Sequence, residues 1–155
     1  MTAIRHNGKA CDLPGSPNSV LLYALRSAGN DPSVRFGCGT GHCGACTVLI
    51  DGQAENACTL ALWAAEQHEV TTAQGLARDP VGQVVLQAFL DEQAAQCGYC
   101  INGIMLRVTG LLKKSPGASA GQVRETLSRH LCRCGAHTRI LRAVALAQQR
   151  LNAKD

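Results

Sequence analysis

Nine of the 155 residues are cysteines, and their spacing is where the chemistry of this sequence lies. Eight fall into two sets of four: Cys38, Cys43, Cys46 and Cys58, then Cys97, Cys100, Cys132 and Cys134. Cys11 stands alone. An odd number cannot close a disulfide framework, and the first residues show no apolar signal core, so reduced thiols in a cytoplasmic setting are expected. Clustered reduced thiols hold metals or carry out redox exchange. The first set is Cys-x4-Cys-x2-Cys with one distant cysteine, the plant-type ferredoxin spacing for a 2Fe-2S cluster. Three thiolates from one short loop must point at a single two-iron unit, so the chain has to wrap tightly. Gly37, Gly39, Gly41 and Gly44 stand in that loop, where glycine accepts the backbone angles and the close approach. The loop amides are then free to donate to sulfur and tune the potential. A zinc ion or a buried thiol cluster is the alternative, although zinc more often pairs one short Cys-x-x-Cys with another.

The second set supports several readings by itself. Cys97-Gly-Tyr-Cys100 has the spacing of a redox dithiol, but the βαβ surroundings of a thioredoxin-like fold are missing. Leu131-Cys-Arg-Cys-Gly135 falls in a turn between two helical patterns. In an antiparallel bundle the helices that follow the two pairs can start at the same end. Four thiolates would then meet, with helix N-terminal amides directed at an anionic group. A second iron–sulfur cluster, a zinc ion and a redox dithiol all stay open at this level. Other residues have plainer readings. Cys11 reads as a buried structural thiol on the strand face of Leu13. His42 reads as a solvent-facing spacer, His130 and His137 as capping or surface residues, and Trp63 as core. No catalytic acid, base or nucleophile, phosphate loop or dinucleotide fingerprint is assigned.

The elements that must position the thiols follow from turns and periodicity. Asn7-Gly8 suits a type I′ hairpin between strands over Thr2–His6 and Lys9–Leu13. Asn18-Ser19 is placed to cap a helix over Val20–Ser27. Thr47–Ile50 runs into Asp51-Gly52, a second hairpin signal, and Val70–Thr72 reads as a last strand. Residues 73–80 read as a linker. Beyond it the apolar period becomes helical: Val81 to Phe89, Ile101 to Leu112, then Val123, Leu127 and Leu131 behind a Ser119–Gln122 capping box, then Ile140 to Leu151. The pattern predicts an α+β chain with two small domains, residues 1–75 with strands and one helix, and residues 76–155 as a four-helix bundle.

Composition narrows the partners. Aromatic residues make up 3% of the chain, so the core is aliphatic and no platform for stacking nucleic-acid bases is expected. The net charge of +4 is scattered, with Lys113–Lys114 the one adjacent basic pair, so no nucleic-acid patch is indicated. No apolar run is long enough to insert in a membrane.

Taken together, Gly37-Cys-Gly-Thr-Gly-His-Cys-Gly-Ala-Cys-Thr-Val, Gln96-Cys-Gly-Tyr-Cys and Leu131-Cys-Arg-Cys-Gly, in that order, resemble the small iron–sulfur subunit of the molybdenum hydroxylases, the xanthine dehydrogenase and aldehyde oxidase family. The resemblance implies a plant-ferredoxin-like β-grasp domain followed by a helical bundle, each with a 2Fe-2S cluster. It implies a large partner subunit that hydroxylates the substrate at a molybdopterin cofactor, in the cytosine dinucleotide form. Electrons then pass through the cluster of Cys97, Cys100, Cys132 and Cys134 to that of Cys38, Cys43, Cys46 and Cys58. Gln96, with Gly98 and Tyr99 beside it, is implied to approach the pterin. Many flavin-containing members read Cys-Thr-Pro-Gly where this chain reads Cys100-Ile-Asn-Gly103. Together with Tyr99, that resembles the bacterial branch acting on N-heterocycles such as nicotinate and isoquinoline, whose acceptor is a cytochrome or another carrier in place of a flavin subunit. The alternatives are a family member acting on aldehydes, carbon monoxide or xanthine, and a free-standing ferredoxin.

Overall fold

The computed structural model describes residues 1–153. Asn7 and Gly8 both take positive φ, 52° and 83°, as a type I′ turn requires. They join β1 (Thr2–His6) to β2 (Lys9–Leu13) in antiparallel register, Thr2 opposite Leu13 and His6 opposite Lys9. Asp51 and Gly52, at 47° and 82°, do the same for β3 (Thr47–Ile50) and β4 (Gln53–Asn56). With β5 (Glu69–Thr71) these form one sheet of order β2-β1-β5-β3-β4, in which β1 and β5 run parallel. One helix, α1 (Leu21–Ser27), lays Leu21, Leu22 and Leu25 against Ile4, Leu13, Val48 and Val70. This is the sheet with a helix across it that the turns and periodicity anticipated.

The start of α1 differs from expectation. Neither Asn18 nor Ser19 caps it; Val20 holds the N-cap position in extended conformation. The first helical amides, of Leu21 and Leu22, instead donate to the carbonyls of Leu60 and Ala57. A neighbouring backbone segment satisfies the helix end, so no side-chain cap is needed. Trp63 is not core. It is 58% exposed on a short 3-10 turn, Leu62–Ala65, whose inward positions Leu62 and Ala65 occupy. Cys11 does share the strand side of Leu13, but it is half-buried, because β2 is an edge strand.

Residues 73–80 form a packed joint instead of a loose linker. Leu76 is buried, and a Cβ on Gly75 would lie 2.2 Å from Asn7 Oδ1. Asp79 then caps α2 (Pro80–Asp91), accepting from the amides of Val81 and Gly82 at 3.0 and 2.9 Å, with Pro80 in the first turn. Its other oxygen pairs with Lys113. Three more helices follow, α3 (Ile101–Lys114), α4 (Ala120–Leu127) and α5 (His137–Asn152). The Ser119–Gln122 capping box is formed in both directions. Val85, Phe89, Ile104, Leu112, Val123, Ile140 and Val144 fill the bundle core. Leu131 is not part of that stripe, since α4 ends at Leu127 and Leu131 is 63% exposed. Helix α3 also covers β3 and β4, and Leu49 of β3 belongs to the helical core.

Asp31 ties the approach to the first cysteine loop onto the sheet. Its carboxylate lies 3.0 Å from His6 Nε2 and accepts from the Ser33 amide, the Ser33 hydroxyl and the Thr72 hydroxyl. Burial alone would raise its pKa, but these donors outweigh burial and hold it down at about 2. A depressed carboxyl stabilises the fold above its ordinary titration range and loses that contribution as pH falls toward the folded value. Asp31→Asn is expected to cost about 2 kcal/mol at neutral pH. Urea midpoints of the two proteins should converge between about pH 4 and pH 2; a constant gap across that range would contradict the assignment.

Candidate metal centres

The first cysteine loop turns by positive φ at Gly39, Gly41 and Gly44 (71°, 77° and 73°). That wrap aims backbone amides at sulfur. Thr40 and His42 N–H donate to Cys38 Sγ at 3.3 and 3.2 Å, and Cys38 N–H donates to Cys43 Sγ at 3.3 Å. Gly37 has no room for a side chain, since a Cβ there would stand 2.5 Å from Cys43 Sγ. Cys46, at the entrance of β3, and Cys58, just after β4, are both buried, and Ala57 N–H donates to Cys46 O across the hairpin. Cys38 is exposed, and so is His42, as a solvent-facing spacer would be.

Charge is distributed unevenly over these thiols. The Thr40 amide, with those of His42 and Cys43, lowers the Cys38 thiol to about 5 despite opposing burial. Cys46 is pushed up to about 12, first by burial and then by the neighbouring Cys58 and Cys43. Thiols packed this closely resist ionising together unless a cationic centre offsets their charge.

Of the second set, Cys97, Cys100 and Cys132 come together where α3 and α5 begin, with Cys134 in the same turn as Cys132. Gly98 and Gly135, at 79° and 72°, shape the two turns. Cys100 is the residue before α3, and Tyr99 N–H reaches Cys97 Sγ at 3.5 Å. Cys132 and Cys134 precede α5, and Ala136 N–H reaches Cys132 Sγ at 3.5 Å. Gln96 Nε2 donates to Cys134 O at 3.4 Å, closing one turn on the other. Burial, then adjacent Cys132 and Cys97, push the Cys100 thiol up to about 12. Burial also opposes ionisation of Cys132, but the Ala136 amide and adjacent Cys100 outweigh it and lower that thiol. Among the described residues, no three His, Cys, Asp or Glu side chains converge as ligands of a single ion. A two-iron cluster spreads its four thiolates over two metal atoms.

Side chains that the sequence left bland hold the two loops together. His130 is not the capping or surface residue expected; it is 5% exposed, with Nε2 3.2 Å from Thr47 Oγ1. Its ring lies so close to Gly44 that a Cβ there would be 2.4 Å from Cδ2. Burial, helped by Arg107, lowers its pKa to about 4, so the ring is neutral at pH 7. His137, by contrast, is exposed at the start of α5. Leu131 N–H donates to Cys43 O at 3.1 Å, and Asn102 Nδ2 donates to Ser33 O at 3.0 Å. Arg107 donates to Ala54 O at 2.7 Å. No local motif marks these contacts, because each partner is remote in sequence.

Two family models cover the chain in tandem, a 2Fe-2S iron-sulfur cluster binding domain over residues 4–77 and a 2Fe-2S binding domain over residues 72–145. One of the subunits of nicotinate dehydrogenase from Pseudomonas putida is 44% identical over 95% of this chain and 94% of its own length. The alpha subunit of isoquinoline 1-oxidoreductase from Brevundimonas diminuta is 42% identical, covering 89% of this chain and 91% of its own. This chain belongs to the small iron–sulfur subunits of the molybdenum hydroxylase family. Solved structures agree with that placement. Quinoline 2-oxidoreductase from Pseudomonas putida 86 superposes with a TM-score of 0.86 at 31% identity, over 96% of this chain and 95% of the matched one. Aldehyde oxidoreductase from Desulfovibrio desulfuricans superposes at 0.88 and 34% identity, over 99% of this chain but only 17% of that longer one. Membership of this family makes the chain an electron-transfer subunit of an oxidoreductase. Among the described residues no helix is long and apolar enough to cross a membrane.

Proposed function

We propose that this protein carries electrons from a molybdopterin cofactor in a large partner subunit to a flavin- or cytochrome-bearing acceptor. The substrate is an N-heterocycle of the nicotinate or isoquinoline kind. The ligands are Cys38, Cys43, Cys46 and Cys58 for one 2Fe-2S cluster, and Cys97, Cys100, Cys132 and Cys134 for the other. When bound, each cluster accepts and releases a single electron. The observation that carries the reading is the gathering of Cys97, Cys100 and Cys132 at the shared start of α3 and α5, beside a complete ferredoxin-type loop. A free ferredoxin has no use for that second gathering.

The chain's own contribution is to hold charge in place. Glycine-shaped loops point amides at thiolate sulfur, which favours the anionic ligand and sets how readily the site is reduced. Each set keeps one exposed cysteine, Cys97 in one and Cys38 in the other, offering an entrance and an exit. Between them the Leu131–Cys43 hydrogen bond joins the residue beside Cys132 directly to a ligand of the other set. Gln96, tethered to Cys134 by its amide nitrogen, keeps its carbonyl oxygen for the pterin, with Gly98 and the open edge of Tyr99 beside it. Tyr23, Phe36, Tyr99 and Leu131 are exposed by 55%, 43%, 48% and 63% around the loops, apolar surface suited to burial against the large subunit.

Residues 1–75 and 76–155 act in this reading as two domains, of which 154 and 155 lie outside the described residues. Their two hydrophobic clusters and the tandem family models support that division. The cytosine dinucleotide form of the cofactor and a cytoplasmic, reducing setting complete the reading. The test is to purify the chain with its partners, assay molybdenum, and add nicotinate or isoquinoline anaerobically. Co-eluting molybdenum and bleaching of the visible iron–sulfur absorption are expected. A chain that elutes alone, without molybdenum, and reduces acceptors by itself would favour the ferredoxin reading.

A further inference from the structure

We infer that Tyr99 is a positioning residue that latches the turn of the second cysteine set onto the loop of the first. Its hydroxyl donates to the carbonyl of Phe36 at 2.5 Å, two residues before Cys38. The same tyrosine sits between Cys97 and Cys100, and its own amide donates to Cys97 Sγ. One residue therefore touches the backbone entering one thiol set while forming the turn of the other. A second contact fixes the ring. The Arg35 guanidinium carbon lies 5.5 Å from the Tyr99 ring centroid, within cation–π range. Arg35 Nε is buried with no hydrogen-bond partner among the described residues, and the ring is a favourable neighbour for its charged head. Phe36 is braced in turn by Tyr23, with ring centroids 6.3 Å apart. A cofactor contact alone does not account for this arrangement, because the polar atom of Tyr99 points at this chain's own backbone.

The consequence is mechanical coupling. The amides of Cys38, Thr40 and His42 hold thiol sulfur only while the Phe36–Cys43 loop keeps its shape. Tyr99 restrains that loop from the opposite half of the molecule. A phenylalanine here keeps the ring and its cation–π contact and loses only the donor, so Tyr99→Phe isolates the latch. The effect of the latch on electron passage rests on the relay proposed above; its effect on the loop does not.

The experiment uses the complete enzyme with its partners, comparing wild type, Tyr99→Phe and Arg35→Gln. Hydrogen exchange followed by mass spectrometry is read over residues 36–43 and over α2 and α5. In Tyr99→Phe the loop amides are expected to exchange roughly five-fold faster, the equilibrium weight of one net hydrogen bond, while α2 and α5 are unchanged and iron content is retained. Arg35→Gln should loosen the same loop to a smaller degree. Stopped-flow reduction by substrate should show the outer cluster reduced more slowly relative to the inner one than in wild type. Loop protection equal to wild type in both variants overturns the latch, and so does a uniform loss of protection across the chain. A loosened loop in a protein whose clusters are not reduced by substrate at all keeps the latch and rejects the relay.

Discussion

Cys132→Ser is expected to leave the protein with about two irons in place of about four, and to abolish passage of electrons to the iron that stays. The physical case starts from the ligand itself. Serine offers a hard, high-pKa hydroxyl where iron–sulfur chemistry selects a soft thiolate. Cys132 is also the thiol of its set that the surroundings hold in the ionised direction, through the Ala136 amide and adjacent Cys100. Its loss leaves Cys100, half-buried beside it, without the neighbour that shares its site. The first set lies in a separate loop held by its own amides, so its cluster and spectrum should survive. Substrate-driven reduction of that surviving cluster should fall by more than about 100-fold, since even groups one step removed from a metal cost 10–100-fold. Iron analysis with anaerobic reduction kinetics checks both halves of this prediction. Four irons, or undiminished reduction of the first cluster, would refute the assignment of Cys132.

The second large effect is structural. Gly103 lies in α3 where the helix crosses the first cysteine loop, and a Cβ there would stand 2.2 Å from Gly44 O and 3.2 Å from Ala45 C and O. These are backbone atoms of a loop already fixed by its thiols, so neither side can yield cheaply. In an ordinary helix, glycine to alanine would stabilise by about 1 kcal/mol. Here the overlap outweighs propensity and reverses the sign. Gly103→Ala is expected to destabilise by about 2 kcal/mol and lower Tm by about 6 °C, with the first cluster more easily lost. Gly117→Ala, with nothing within 4 Å of its Cβ, serves as the control and should be near neutral. A Gly103→Ala protein as stable as wild type would mean that α3 does not press on the loop.

What the sequence made legible was local. The two hairpins announce themselves in Asn7-Gly8 and Asp51-Gly52, because only a few residues accept positive φ at adjacent positions. The Ser119–Gln122 box marks the start of α4 within one turn of chain. Cysteine spacing outlines both thiol sets, since ligands of one cluster within a loop are constrained by the reach of that loop. What stayed hidden depends on partners remote in sequence. Trp63 looks like core by composition, yet the neighbouring Leu62 and Ala65 claim the interior. Leu131 continues the period of α4, but its amide is drawn off to Cys43. His130 carries no motif at all; it is buried because Gly44 and Thr47, some eighty residues earlier, leave a place of its shape. The joint at residues 73–80 shows the same rule, with Gly75 and Pro80 giving a linker composition while Leu76 and Asp79 anchor it at both ends.

The central claim is that one chain holds two separate one-electron centres. The most direct test is to quantify iron and acid-labile sulfide per chain in the purified protein, and to integrate its electron paramagnetic resonance after full reduction. About four irons, about four sulfides and two distinguishable signals of about one spin each are predicted. About two irons with a single signal, or zinc in place of the second pair, would contradict the account and leave the cysteines at the start of α3 and α5 with another task.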